Sequence, residues 1–378
     1  MASPHDIQTN DTNSAIINEI QELKKELGQQ IIMPAHHYQK PEVVAVSDFV
    51  GDSYKLSKEG AAASARFIVF CGVRFMAESA AILAAPGQTV LIPDPVAGCP
   101  MADMIDAAQA EAILDKLDAL TGQAVAPLTY MNSYADMKAL TGRRGGAICT
   151  SSNAAKLLNH YLDAGKPVFF GPDFNLGINV ANDLGIDRKR IFRVRKDGAL
   201  ECMESVTDSV KTPNPSQGLL FIWDGFCHVH KTFKVDQIQA ARSRNPEVQV
   251  IVHPESDEAV VQAADSSGST EGIYKTVAAG TPGSSWVVGT EASFVHRLAA
   301  EYPDRSIVPL RESYCFNMAR ITLDNVLASL RSIKAHLADP LRPLYHIVSV
   351  DPAVKADAAL ALNRMIDIVE GRAGGAKH

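Results

Sequence analysis

Three times along this chain a strand pattern ends in polar residues, and three times a later strand runs into a cysteine. No other feature limits the fold as strongly. The openings are His36/Tyr38, Tyr130/Asn132 and His253/Glu255, and the closings are Cys99, Cys227 and Cys315. The spans His36 to Cys99 and His253 to Cys315 agree to within one residue. The middle span is longer by roughly the length of the charged, Pro-rich stretch 187–217, which reads as an insertion in a repeated unit. Within each round, short apolar runs such as Phe67–Cys71 alternate with helical spacing. Continuous apolar runs of this kind suit parallel sheets buried on both faces, and strand–helix alternation places the chain in the α/β class.

The stretch Val90 to Met104 carries the first closing. Val90, Leu91 and Ile92 stop at Pro93, a turn with Ala97 and Gly98 follows, and then comes Cys99 before Pro100. Turns at the carboxyl ends of parallel strands are where open α/β folds bind ligands. A lone cysteine there is most simply a small buried turn residue. Three cysteines at equivalent strand ends are a different matter. Packed around a pseudo-threefold axis, three α/β/α units would bring them to one centre.

The expected organisation has three units. A disordered tail over 1–14 precedes a helix capped by Ser14 and ended by Gly28. The first α/β/α unit covers 15–123, with helices in 319–371 expected to pack on it. The second covers 124–246 and holds the insertion, the third covers 247–318, and 372–378 is a tail. At 378 residues the chain is long enough for such a division. A net charge of −7 argues against general nucleic-acid binding. No apolar run approaches membrane-spanning length, and the polar N-terminus lacks the apolar centre of a signal peptide. The expected compartment is therefore the cytoplasm, where the six cysteines (71, 99, 149, 202, 227 and 315) stay reduced.

Three thiolates from distant loops suit zinc with a fourth ligand, or a [4Fe–4S] cluster that leaves one iron open as a Lewis acid. Cys71 and Cys149 end apolar strands and read as core, and Cys202 lies in the insertion. His36, His230 and His253 can hold carboxylate or phosphate or move protons, and Tyr38, Tyr130 and Glu255 are candidate acids or bases. Ser53, Ser151, Ser269 and Thr270 each stand where a helix can begin. Singly each is a helix cap; recurring in every round, they point to anion sites. There is no G-x-x-x-x-G-K-[ST], G-x-G-x-x-G, H-E-x-x-H or C-x-x-C, so nucleotide-binding, zincin and thioredoxin chemistry have no motif behind them.

From about Gln30 to Arg320 the chain resembles the quinolinate synthase family. The resemblance is carried by Ala35-His36-His37-Tyr38-Gln39, Phe49-Val50-Gly51-Asp52-Ser53, Ala97-Gly98-Cys99 with Ala102-Asp103-Met104, and Tyr130-Met131-Asn132. Further on lie Cys149-Thr150-Ser151, Gly225-Phe226-Cys227-His228-Val229-His230, His253-Pro254-Glu255, Gly268-Ser269-Thr270 and Cys315 with Asn317-Met318. The resemblance implies a transferase of NAD biosynthesis. It would condense iminoaspartate with dihydroxyacetone phosphate and release phosphate and water, with a [4Fe–4S] cluster on Cys99, Cys227 and Cys315. It implies that His36, Ser53 and Ser151 hold the carboxylates of the iminoaspartate part. His230, His253, Ser269 and Thr270 would lie near the triose phosphate, Tyr38 and Glu255 would transfer protons, and Tyr130 and Asn132 would line the pocket. An aspartate-oxidising enzyme is the implied partner that supplies iminoaspartate. Residues 187–217 have no counterpart in the family pattern, and His37 is a minor departure. Other readings of the same residues are a different cluster-dependent hydro-lyase and a cytosolic iron–sulfur or zinc sensor.

Overall fold

The structure is a computed structural model that describes residues 4–204 and 214–372. It is mixed α/β, with parallel strands flanked by helices. By its internal contacts the chain divides into two compact units. One is Met1–Cys99 with Ala292–Arg297 and Tyr314–Val350; the other is Pro100–Glu291 with Leu298–Ser313 and Asp351–His378.

One strand order occurs three times. The first strand of each round lies between the second and the third, and the fourth lies outside the third. In the four-stranded sheet these are Gln249–Val252, Ser266–Ser267, Ser285–Gly289 and Ser306–Pro309, all parallel. In the first unit the opening strand is broken into Ile31–Ile32 and Pro34–His36. The first piece pairs with Phe67–Val69, which pairs with Thr89–Leu91, and the second piece pairs with Phe49–Gly51. The break has a local cause: Pro34 has no N–H to give the ladder. The N–H of Met33 turns instead to Asp48 Oδ2 at 2.6 Å. A parallel bridge from Ala35 to Cys71 keeps the two pieces in line.

The same order appears in the six-stranded sheet as Ala126–Tyr130, Ala147–Cys149, Val168–Gly171 and Leu220–Trp223. Two further strands lie beyond Leu220–Trp223. Ile191–Val194 runs parallel to it, and Leu200–Cys202 closes the edge antiparallel. The described part of the stretch 187–217 is therefore an added sheet edge, although its sequence shows little periodicity. Each strand is only three or four residues long, with charged residues such as Arg190, Arg193, Arg195 and Glu201 in or beside it. Burial of Ile191, Phe192 and Val194, with Phe192 stacked on Phe221 at 5.7 Å, holds the edge in place. Residues 205–213 of that stretch lie outside the described residues.

Under one face of this sheet, Ile113, Leu114 and Leu117 of helix Ala107–Thr121 pack with Met137 and Leu140 against Phe169, Phe221 and Trp223. Asp106 caps that helix through the N–H of Gln109 at 2.7 Å, and Gly122 ends it with φ 71°. The first helix runs Pro4–Leu27, so Ser14 lies inside it rather than at its cap, and the expected disordered tail is helical from Pro4. Proline is well suited to a first helical turn.

The two C-terminal helices separate. Leu323–Ala338 packs on Pro4–Leu27 in the first unit, and Arg331 there pairs with Glu19. Pro352–Glu370 belongs to the second unit and lies on Ala135–Arg143, which corrects its expected place on the first. Gly142 makes the difference, because a Cβ there would stand 1.9 Å from the carbonyl oxygen of Asp357. The two helix backbones touch at that point, and Arg143 clasps Asp357 at 3.1 Å beside it. Gly142→Ala is therefore expected to destabilise the chain by about 1–3 kcal/mol, since backbone must move to admit the methyl group. Gly60→Ala, in helix Ser53–Ala62 with open space around it, should stabilise by about 0.5–1 kcal/mol. Equal denaturation midpoints for the two variants would show that the contact at Gly142 is slack. Among the described residues no helix is long and apolar enough to cross a membrane.

Candidate active site

The second unit gathers four strand ends. Ala126–Tyr130 presents Tyr130, and Gln249–Val252 runs into His253, Pro254 and Glu255. Leu220–Trp223 leads through Asp224-Gly225-Phe226 to Cys227 and a short turn at His230, and Ser285–Gly289 is followed by Thr290. Their side chains form one buried network. Tyr130 donates its hydroxyl proton to Glu255 Oε1 at 2.5 Å. The other oxygen, Oε2, lies 2.8 Å from His230 Nδ1, and His230 Nε2 lies 3.2 Å from the Thr290 hydroxyl. The His253 ring stacks on His230 at 4.4 Å and 16°. Among the described residues, Cys227, His230 and Glu255 are the one trio of side chains whose potential ligand atoms all lie within 4.8 Å of each other.

The electrostatics follow from this packing. Glu255 is 3% exposed, and burial pushes its carboxyl pKa up. The charge of His230, then that of His253, and the hydrogen bonds from His230 and Tyr130 outweigh burial and hold it at about 2. His253 falls to about 3, first through burial and then through the neighbouring charge of His230, against the pull of Glu255. Glu255 is thus a carboxylate sealed from water and held ionised between a phenol and an imidazole.

Both strand-end histidines are fixed in the same way. The backbone N–H of His253 donates to Gly289 O at 2.9 Å, and its Nδ1 accepts the Glu255 N–H at 3.3 Å. In the first unit the His36 N–H donates to Cys71 O at 3.0 Å, and its Nδ1 accepts the Tyr38 N–H at 3.1 Å. An Nδ1 that accepts leaves the proton of a neutral ring on Nε2. Each ring therefore offers an Nε2–H donor, which suits an anion. Tyr38 stands edge-on to His36 with ring centres 4.7 Å apart.

The hydroxyl residues divide. Ser269 caps helix Thr270–Ala278 by accepting the Gly272 N–H at 3.1 Å, so its own proton remains to donate. Thr270 opens that helix and is buried. Ser53 does not cap: Asp52 accepts the Lys55 N–H at 3.0 Å, and Ser53 is the first helical residue. Ser151 lies half-buried in a turn whose ends are tied by the Thr150 N–H to Asn153 Oδ1 at 2.7 Å. Asn132 is half-buried beside Tyr130.

Several positioning residues carried no signal in the sequence. Asn179 donates to the carbonyls of Pro254 and Ser256 at 2.9 and 3.0 Å and so fixes the turn that bears Glu255. Lys138, fully buried, donates to the carbonyls of Met131 (3.1 Å) and Ser133 behind Asn132. Asp173 accepts the N–H groups of Leu176 and Cys227 at 2.6 and 3.2 Å, joining a helix start to the cysteine loop. Burial and then the charge of Glu255 raise its carboxyl pKa well above the usual range, against those N–H groups. Gly225 allows the loop to pass, since a Cβ there would meet Pro172 O at 2.3 Å. Thr290 could have been suspected only as the residue after a central strand.

Cys99 and Cys315 belong to the first unit and Cys227 to the second. None of the three is in a disulfide, and each is half-buried and follows the fourth strand of its round. Within the first unit the two cysteine-bearing turns are tied together. Arg320, just past Cys315, pairs with Asp94 at 3.0 Å, and Asp94 accepts the Val96 N–H at 2.8 Å on the way to Cys99. The remaining thiols differ. Cys71 and Cys149 are fully buried, and burial pushes Cys71 up to about 12 and Cys149 well above its usual value. Such thiols stay protonated and make poor metal ligands. Burial therefore argues against Cys71 and Cys149 as metal ligands.

The profile of the family described as "Quinolinate synthetase A protein" matches residues 18–367. The quinolinate synthase of Bacillus cereus is 40% identical over 354 residues, covering 93% of this chain and 92% of the relative. That of Bacillus licheniformis is 39% identical over 361 residues, 94% of each, and that of Halalkalibacterium halodurans 39% over 366 residues, 96% of each. A match of this extent, over a chain that carries the buried acid–base network and the repeated cysteine turns, places the protein in the quinolinate synthetase A family of enzymes.

Proposed function

We propose that this enzyme condenses iminoaspartate with dihydroxyacetone phosphate to form quinolinate, releasing phosphate and water. The observation that carries the reading is the ionised, buried Glu255 held between Tyr130 and His230, since ring closure by successive dehydrations needs a proton acceptor screened from solvent. Cys99, Cys227 and Cys315 would hold a [4Fe–4S] cluster. When bound, that group supplies a Lewis-acidic iron able to polarise a substrate oxygen or nitrogen.

The chain's own residues bind, orient and move protons. His36 and His253 direct Nε2–H at anions, His36 with Ser53 and Ser151 at the carboxylates of the iminoaspartate part. His253, with Ser269, Thr270 and His230, faces the triose phosphate. The Ser269 cap supports this assignment, because a hydroxyl that accepts from the helix N–H still donates to a phosphate at the positive end of the helix. Glu255 takes a proton from the condensing carbon framework, and Tyr130 and His230 keep its carboxylate charged. Tyr38 serves a second transfer, and Asn132 lines the pocket beside Tyr130. An aspartate-oxidising enzyme is the class of partner that would supply an imine as short-lived in water as iminoaspartate.

Turnover tests the reading. Anaerobically prepared protein given iminoaspartate and dihydroxyacetone phosphate should form quinolinate and one equivalent of phosphate. Dehydration of a hydroxy acid with no triose phosphate consumed would instead identify a hydro-lyase.

A further inference from the structure

We propose that the protein, when it lacks its cluster, binds a single divalent ion of the zinc class at Cys227, His230 and Glu255. A thiolate, an imidazole nitrogen and a carboxylate oxygen form a donor set that zinc accepts. Here the three ligand atoms lie within 4.8 Å of one another, with His230 Nδ1 and Glu255 Oε2 at 2.8 Å. Ligands at 2.0–2.3 Å from a tetrahedral ion stand about 3.3–3.8 Å apart, so movements of about 1 Å complete the site.

The surroundings are already those of a metal site. A ligating histidine donates its second N–H to an outer partner, and a ligating carboxylate is itself hydrogen-bonded. Thr290 Oγ1 stands 3.2 Å from His230 Nε2, ready to accept that proton, and Tyr130 donates to Glu255 Oε1 while Oε2 turns to the ion. Asp173 anchors the Cys227 backbone at 3.2 Å. One thiolate and one carboxylate neutralise the double positive charge, so the buried site carries no net charge. A fourth position is left for water.

An ion held there takes Cys227 away from cluster assembly and Glu255 away from proton transfer. Cluster-free protein exposed to zinc is thus held in a state that iron and sulfide cannot enter until the ion leaves. The role of Cys227 as a cluster ligand rests on the function proposed above, whereas the mononuclear site does not. Iron and sulfide counts of the anaerobic preparation test the cluster by themselves.

The experiment is a titration of anaerobically chelated, cluster-free protein with Co²⁺ and then Zn²⁺. One Co²⁺ should bind, with a thiolate-to-cobalt band in the near ultraviolet and tetrahedral visible bands, all bleached by one equivalent of Zn²⁺. Cys227→Ser should lose the near-ultraviolet band, His230→Ala should lose tight binding, and Glu255→Gln should weaken it tenfold or more. Cys99→Ser and Cys315→Ser, in cluster-free form, should bind cobalt as the parent does. A band that disappears with Cys99→Ser or Cys315→Ser but survives His230→Ala would overturn the proposal, because the ion would then sit among cysteines. So would the absence of stoichiometric binding in cluster-free parent protein whose circular dichroism matches the holoenzyme.

Discussion

Serine at Cys99, Cys227 or Cys315, one position at a time, is expected to give anaerobic protein without brown colour, without its four irons, and with quinolinate formation at background. A serine hydroxyl matches the thiol in shape but not in chemistry, since near neutral pH it stays protonated and is a poor ligand for iron. If these three cysteines are the cluster's protein ligands, the loss of one leaves too few to hold it. If Lewis-acid stabilisation supplies about 4 kcal/mol, turnover falls about a thousandfold. The other cysteines provide the control. Cys71 and Cys149 are sealed in strand ends with their thiols pushed up, so Cys71→Ser and Cys149→Ser should keep colour and iron. Their cost should appear as stability, about 1–3 kcal/mol for a buried hydroxyl without a full set of partners. Iron and sulfide counts on all five variants decide the ligand set. Loss of iron in Cys71→Ser or Cys149→Ser, with retention in one of the first three, would assign the wrong cysteines.

The position of those three cysteines after a strand was legible because each follows an apolar run at a similar remove from a polar strand end; what they bind is not written in that pattern. His36 and His253 were legible for the same reason. Their shared tautomer was not, because it depends on where the backbone of the second following residue turns. Thr290, Asn179 and Lys138 were invisible for a plainer reason. Thr290 and Asn179 take their roles from neighbours far along the chain, such as Pro254 for Asn179, and Lys138 from the carbonyls of a turn that only the folded backbone aims at it. The strands Ile191–Val194 and Leu200–Cys202 escaped notice because short edge strands amid charges have no period long enough to read. The final helix, Pro352–Glu370, went to the second unit because of a close backbone approach at Gly142, and one glycine within a helix does not name its partner. Ser53 shows the opposite failure. A serine before a helical run looks like a cap, but Asp52 one residue earlier binds the free N–H.

Glu255→Gln is the second variant with a large expected effect, and it separates chemistry from architecture. The amide has the size of the carboxylate, and its oxygen can still accept from Tyr130. Its NH₂ can donate to His230 Nδ1 while Thr290 accepts the proton on Nε2. The network therefore persists with its charge removed, and the visible spectrum and denaturation midpoint should change little. Turnover should fall about 10²–10⁴-fold, the usual worth of a general acid–base group. The pH profile adds a sign. With Glu255 held at about 2, its carboxylate is fully formed above about pH 4. Any acid limb of parent activity between pH 5 and 7 therefore belongs to another group, and the residual activity of Glu255→Gln should keep that limb with the same midpoint. If the variant turned over like the parent, Glu255 would leave the catalytic set and its buried charge would serve only to orient His230 and Tyr130. If instead the limb vanished with Glu255, the ionisation that limits the parent would be that of Glu255 itself, and the depression ascribed to His230 and Tyr130 would be absent in the working enzyme.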